Sequence, residues 1–316
     1  MTQEPGKAVN WRVAFEGYIR VVEKFLNIAG LRHANDHPLA KSIAQLKHLL
    51  QIGVPTPDGM LHVGQFGPTP EAALEAARDF LATFFRLGMD SMYWLGPQGR
   101  YIPELENDEK IKRFLVTRLP DPEMCEDVLS EMSYRGYLKA RGLRVDLTED
   151  DGMPDMKVWG SNGAFHAEIK AIHKGSNPDR ASKVIAKANK QIKRTPEGVG
   201  ICAILVLETI QMRGDMIAKP GLIPDEIKPI IQSVEGVMNS SNCKSVAEAV
   251  VSWDEFAVLG TPPGWVGLHA VRRSVRVSHR EARAPIPHLK LADLEPSATV
   301  HNSMLFKPSG ASGSTV

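Results

Sequence analysis

The chain has 316 residues, of which 43% are hydrophobic and 24% are charged, and its formal net charge is +1. This composition excludes a collagen-like or an intrinsically disordered chain, and the longest apolar runs, such as 201–207, are too short to cross a bilayer. Three widely spaced cysteines exclude a disulfide framework and a zinc knuckle. We therefore expect a cytoplasmic protein without a membrane segment, folded into one large domain or two to three small ones.

The first third of the chain is predicted to be mostly helical. Residues 9–52 carry apolar side chains at helical spacing, interrupted at His37-Pro38, which predicts two helices. A run rich in glycine and proline over 53–70 predicts a loop, and a further helix is expected from there to about Leu87. We assign residues 1–120 to this helical N-terminal region.

From residue 121 the pattern changes to a mixture of helices and strands. Residues 121–142 predict a helix, because acidic residues crowd its first turns and Gly142 lies where a C-terminal cap belongs. The elements predicted next are strands over 143–148, 153–159 and 164–172, a helix over 181–194 and a buried strand over 199–208. Asn162-Gly163 predicts a tight turn between the second and third strands. The order is therefore helix, three strands, helix, strand.

The last third of the chain has weaker signals. Residues 241–256 begin like a capped helix, and residues 265–275 predict a strand. The final ten residues are rich in glycine and serine and predict a disordered tail. We assign residues 121–280 to a second domain and residues 281–316 to a C-terminal extension.

Basic residues are concentrated just after the third predicted strand. Within the helix predicted over 181–194, four basic side chains recur at i, i+4, i+7 and i+11, namely Lys183, Lys187, Lys190 and Arg194. Such a stripe can contact the phosphates of a nucleic acid. The alternative is a solvated lysine face without a partner.

The two strands around the predicted turn carry the residues with the clearest chemistry. Asp155 and Lys157 share one face of their strand, and Glu168 and Lys170 share one face of the next strand. A hairpin brings Asp155 and Glu168 close together, where two carboxylates repel each other unless a cation lies between them. Hard cations such as Mg²⁺ are held by carboxylate oxygens, and Lys170 can then act on water or on the phosphate. The alternative is an exposed edge hairpin whose charges merely pair.

The motif Pro154-Asp155, twelve residues, Glu168-Ile169-Lys170 resembles that of the PD-(D/E)XK nucleases. The resemblance covers about 121–208 and implies an α/β fold with a restriction-endonuclease-like αβββαβ core. It also implies that Asp155, Glu168 and the backbone carbonyl of Ile169 bind Mg²⁺ or Mn²⁺ and that Lys170 serves catalysis. An acid on the first helix completes the site in many members, and we expect Glu131, with Glu126 as the second choice. Gln191, with Lys187, is similar to the polar residues that the second helix of some members points at the active site.

A second copy of the motif letters lies at Pro224-Asp225-Glu226-Ile227-Lys228. It leaves no room for a hairpin between its acids, and prolines bound it on both sides. We therefore expect this string to have no catalytic role.

Together these features predict a magnesium-dependent endonuclease that hydrolyses phosphodiester bonds in nucleic acid, with DNA favoured over RNA as its partner. A homodimer is left open. The alternative is a catalytically inactive nucleic-acid-binding or assembly module that keeps the nuclease-like fold.

Overall fold

The computed structural model describes most of the chain, in ranges separated by gaps. They are 11–52, 54–55, 61–62, 107–140, 143–148, 150, 152–160, 163–173, 175–177, 179–212, 223–260, 266–284, 286 and 304–306. The helix predicted to end near Leu87, the turn residue Asn162 and the predicted tail lie outside these residues. No helix within the described stretches has the length and apolar character needed to cross a membrane.

The described chain contains both helices and strands. The helices are α1 (Trp11–Ile28), α2 (Pro38–Ile52), α3 (Glu109–Arg118), α4 (Cys125–Ala140), α5 (Asp179–Lys193) and α6 (Lys228–Met238). The strands are β1 (Val54–Pro55), β2 (Leu61–His62), β3 (Arg144–Leu147), β4 (Met156–Gly160), β5 (Gly163–Ile172), β6 (Gly200–Met212), β7 (Val246–Gly260), β8 (Val266–Ser278) and β9 (Met304–Phe306). The fold is therefore α/β, as the sequence predicted.

Seven of the described strands form one mixed sheet in the order β3-β4-β5-β6-β7-β8-β9. The pairs among β3, β4 and β5 are antiparallel, the pairs among β5, β6 and β7 are parallel, and the rest are antiparallel. Met156 lies opposite Ala167 where the β4–β5 ladder ends, and Glu168 lies opposite Cys202 on β6. The center of the sheet is thus parallel and buried, whereas both ends are antiparallel.

Each face of the sheet packs against its own helices, because successive strand side chains point to opposite faces. One buried cluster joins α4 to the sheet through Val128, Met132, Met156, Val158 and Phe165. The second joins α5 and α6 to the other face, through residues that include Ile185, Ala188, Ile192, Ile204 and Val234. The hairpin β4–β5 is held between these layers.

The N-terminal helices pack into the first of these two clusters. Phe25 of α1, Leu39 of α2 and Leu115 of α3 are buried in the same cluster as residues of the sheet. The predicted helix break is real: α2 begins at Pro38, and Nδ1 of His37 accepts the Leu39 N–H. The division of the chain at residue 120 stays a prediction, but the packing of the core is continuous across it.

Three features of the described chain differ from the sequence prediction. Residues 241–256 do not begin a helix, because Val246–Gly260 form strand β7, paired on both sides by β6 and β8. Pairing of its β-branched and aromatic residues outweighs the local cap signal. Helix α6 was not predicted from the proline-punctuated stretch before it. The C-terminal extension supplies strand β9, which pairs with β8.

Candidate active site

Asp155 and Glu168 are held side by side at the end of the β4–β5 ladder. Asp155 directly precedes β4, and its Oδ2 accepts the N–H of Ile169 at 2.7 Å. The N–H of Asp155 in turn donates to Oε2 of Glu168 at 3.1 Å. This reciprocal pair continues the ladder through side chains, since the Ile169 N–H would otherwise lose its partner where β4 ends. The two carboxylates are therefore positioned by backbone geometry.

Lys170 lies between the two carboxylates. Its Nζ is 2.8 Å from Oε1 of Glu168 and 3.4 Å from Oδ2 of Asp155. The Glu168 side chain is fully buried, while 13% of the Asp155 side chain and 23% of the Lys170 side chain are exposed. The ammonium group thus compensates the charge of both acids.

The buried acids shift the ionisation of their neighbours. Burial and the negative charge of Asp155 raise the pKa of Glu168 to about 7, against the opposing effect of Lys170. Burial alone would lower the pKa of Lys170, but Asp155 and Glu168 outweigh it and raise that pKa above its ordinary value. Lys170 therefore stays charged near neutral pH, whereas Glu168 exchanges its proton there. Clusters of this kind are common at functional sites.

Glu131 of α4 faces the same cluster but is held by another residue. Its side chain is only 2% exposed, and both of its oxygens accept from Nη1 of Arg118, at 2.7 and 2.8 Å. Burial, followed by the charge of Asp155, raises the pKa of Glu131 to about 8 despite this pairing. Glu126, the second choice from sequence, does not line the cleft described next. Of the two acids, the structure brings Glu131 to the site.

A cleft of about 460 Å³ opens above these residues. Helix α3 forms one wall, helix α5 contributes to another, and the segment between β3 and β4 borders the cleft as well. It is lined by Lys110, Arg113, Phe114, Thr117, Arg118, Met124, Glu131, Leu147, Thr148, Asp150, Gly152, Met153, Asp155, Lys170, Lys187 and Gln191. Five basic and three acidic side chains therefore face this space.

The residues predicted from α5 divide into two groups. Lys187 and Gln191 line the cleft, whereas Lys183, Lys190 and Arg194 are exposed and do not. Nε2 of Gln191 donates to the carbonyl of Met153 at 2.9 Å. Its Oε1 is buried and has no hydrogen-bond partner in the described part of the chain. The stripe predicted from spacing is thus only partly directed at the site.

Three further residues on the hairpin side of the sheet form a separate network. Nε2 of His166 is 2.9 Å from Glu197, which also pairs with Lys157 at 2.5 Å. Burial lowers the pKa of His166, although Glu197 opposes the effect. None of the three lines the cleft. This network ties the hairpin to the segment between α5 and β6 and has a structural role.

Sequence reasoning missed the residues that α3 contributes. Arg118, Lys110 and Arg113 lie in the N-terminal region, far from the hairpin motif in the chain. A basic residue in a predicted helix carries no sign of the partner it will meet. Only the burial of Leu115 and Ile111 in the cluster that α3 shares with α1, α4 and the sheet places α3 beside the acids.

The oxygen atoms of the cluster suit a hard divalent cation. Asp155 and Glu168 offer carboxylate oxygens, and the carbonyl of Ile169 faces the same strand edge as its N–H, where Asp155 lies. Mg²⁺ is commonly bound by one or two carboxylates together with waters. No group of three or more His, Cys, Asp and Glu side chains with the spacing of a metal site occurs among the described residues. The fit therefore rests on two carboxylates, with Glu131 nearby and paired to Arg118.

The second copy of the motif letters has none of this geometry. Asp225 is 91% exposed and pairs with Lys228 at 2.6 Å, one helical turn away. Neither residue lines the cleft. Asp225, Glu226 and Lys228 are exposed, whereas Pro224 and Ile227 are buried. The absence of a catalytic role in this string stays a prediction.

The chain matches no protein-family model, no curated protein and no solved structure. Its function therefore has to be argued from the geometry and charge of the cleft.

Proposed function

We propose that this chain is a metal-dependent nuclease that hydrolyses phosphodiester bonds in nucleic acid, with DNA as the favoured substrate. One observation carries the proposal: Asp155 and Lys170 line a cleft bordered by basic side chains, and both lie within hydrogen-bond distance of the buried Glu168. Carboxylates beside a lysine suit a hard cation and a phosphate together. The order α4, β3, β4, β5, α5, β6 supports the restriction-endonuclease-like αβββαβ core that the motif implies.

Each residue of the cluster has a chemical role in this proposal. Asp155, Glu168 and the carbonyl of Ile169 would hold Mg²⁺ or Mn²⁺, with Glu131 as the auxiliary acid. The bound cation would lower the pKa of water and neutralise charge on the phosphate. Lys170, charged and recessed, orients the attacking water or stabilises negative charge that develops on the phosphate. Arg118 keeps Glu131 in place beside the cluster.

A second candidate is a nucleic-acid-binding or assembly module without catalysis. The observation that favours it is that Lys170 and Arg118 already compensate the charges of the three acids within the protein. In this reading the cleft binds a phosphate through its basic walls and cuts nothing. The two candidates differ in whether the protein cleaves nucleic acid by means of these acids or only binds it.

Cleavage of plasmid DNA and of single-stranded DNA by the full chain, with Mg²⁺ or Mn²⁺ and with a chelator, tests the proposal. Asp155→Asn and Glu168→Gln keep hydrogen-bonding side chains but remove charge, so we expect both to abolish cleavage. We expect Lys170→Met to lose on the order of 10²- to 10⁴-fold in single-turnover rate, the range for a general acid–base group. Calorimetric titration with Ca²⁺ should show that this variant still binds a divalent cation, because Lys170 is not a metal ligand.

The exposed ion pair of Asp225 and Lys228 supplies matched controls. Asp225→Asn and Lys228→Met change the same residue types outside the cleft, so both should cut at the parental rate. Circular dichroism checks that each variant is folded. Parental activity in folded Asp155→Asn, or persistent activity in the chelator, would reject the nuclease. DNA binding without cleavage in the parent would favour the second candidate.

A further inference from the structure

The reacting groups are largely buried, which limits the form of nucleic acid that can reach them. Glu168 is fully buried, and only 13% of the Asp155 side chain and 23% of the Lys170 side chain are exposed. About 460 Å³ is the size of a pocket for a small ligand. A duplex carries its phosphates on the outside of two paired and stacked strands, and separating them costs free energy. An unpaired strand enters such a space without that cost.

The two helical walls carry exposed cations. Lys110 of α3 and Lys187 of α5 both line the cleft and are exposed. Neither forms an ion pair within the described part of the chain. Ammonium groups in this position suit successive phosphates of one backbone, because phosphate contacts supply most of the affinity for a strand.

Apolar side chains share the cleft with these cations. Phe114, Met124, Leu147 and Met153 line the cleft together with the basic residues. The faces of nucleic-acid bases are apolar, and they are accessible to protein only when the bases are unpaired. A cleft that combines cations with apolar groups therefore matches a single strand better than the phosphate surface of a duplex.

From these three features we propose that the cleft takes single-stranded nucleic acid, whose backbone passes between Lys110 and Lys187 and brings one phosphate to Asp155 and Glu168. The inference rests on the proposed nuclease function for its reacting phosphate. It makes α3, which lies outside the hairpin motif, part of the substrate site. The N-terminal region then selects the form of the substrate, while the hairpin supplies the reacting groups.

Binding by the full chain in Ca²⁺, followed by fluorescence anisotropy, tests this inference. The probes are one short labelled DNA strand, the duplex of the same sequence, and RNA of that sequence. We expect the duplex to bind at least about tenfold more weakly than the strand, because it must unpair before entering. Lys110→Gln and Lys187→Gln should each lower the slope of log K against log salt by about 0.7, the value per phosphate contact on a single strand.

Lys112→Gln and Lys193→Gln are the matched controls on the same two helices. Neither residue lines the cleft, and Lys112 pairs with Glu109 at 2.6 Å, so both slopes should stay at the parental value. Equal binding of duplex and strand, or unchanged slopes in Lys110→Gln and Lys187→Gln, would overturn the inference even if DNA is cut. A further outcome is that the strand binds selectively, in a manner that depends on Lys110, without being cut. That result would uphold the inference for binding and reject the proposed nuclease activity.

Discussion

Single carboxylates at this site accept backbone hydrogen bonds and also carry the charge on which the proposed chemistry depends. Asp155 accepts the N–H of Ile169 where β4 ends, and Glu168 accepts the N–H of Asp155. Removing either carboxylate would therefore leave a backbone donor without its partner, which costs about 1–3 kcal/mol when the donor is buried. For this reason amide substitutions, which keep an acceptor, separate chemistry from folding better than alanine does.

Glu131 gives a prediction about pH at the scale of one residue. Burial and the charge of Asp155 raise its pKa from 4.5 to about 8 in the folded chain. The stability that its protonated form contributes is therefore complete below pH 4.5 and is lost as the pH rises toward 8. The side chain in Glu131→Gln does not titrate. We therefore expect this variant to lose less free energy of unfolding than the parent as the pH rises, by on the order of a few kcal/mol. Urea unfolding at a series of pH values measures it.

Glu126→Gln is the control for the Glu131 prediction, since it removes a carboxyl from the same helix outside the cleft. The free energy of unfolding of this variant should depend on pH as that of the parent does. A Glu131→Gln profile that also coincides with the parent would show that Glu131 does not titrate in this range.

At the scale of elements, the start of β6 is the tightest junction beside the site. Gly200 lies opposite His166 on β5, and a Cβ there would collide with the His166 carbonyl and lie 3.0 Å from Cδ1 of Ile192. We expect Gly200→Ala to reduce the free energy of unfolding by about 1–3 kcal/mol, the usual cost of overpacking. It should also weaken cleavage, because β5 carries Glu168 and Lys170.

The same substitution in α6 should have the opposite sign. A Cβ at Gly236 meets no atom within 4 Å, and alanine is favoured over glycine in a helix by about 0.5–1 kcal/mol. Urea unfolding of Gly200→Ala and Gly236→Ala measures both effects. A Gly200→Ala protein as stable as Gly236→Ala would mean that the β5–β6 junction is looser than these distances indicate.

At the scale of the whole molecule, the N-terminal helices and the sheet share one buried cluster. Leu115 of α3 is fully buried in it beside residues of α1, α4 and the hairpin. We expect Leu115→Ala to reduce the free energy of unfolding by about 2–5 kcal/mol, through lost burial and the cavity left behind. Amide hydrogen exchange of β5 should accelerate with it, because α3 and the sheet unfold together.

The neighbouring Val116 is the control for this prediction, since 52% of it is exposed. Val116→Ala should change the free energy of unfolding by no more than about 0.5 kcal/mol and leave exchange in β5 as in the parent. Faster exchange confined to α1–α3 in Leu115→Ala would show instead that the two regions unfold separately.

The sequence by itself determined the elements that depend on local patterns. Alternation over 153–159 and 164–172 predicted the hairpin, and the register then brings Asp155, Glu168 and Lys170 together, as their distances show. Strand period and turn preference act over a few residues, so they can be read without the rest of the chain. The α/β class and the order of elements over 121–208 follow from the same signals.

Only the tertiary structure decided which distant residues meet this hairpin. Arg118 reaches Glu131 and α3 forms a wall of the cleft because Ile111 and Leu115 are buried in the cluster that joins the N-terminal helices to the sheet. The same holds for β7, where pairing with β6 and β8 outweighs a local signal for a helix. Contacts of this kind depend on packing between residues far apart in the chain, and neither period nor spacing encodes them. The hairpin and its charged residues can therefore be predicted from the sequence, whereas the cleft around them depends on the tertiary fold.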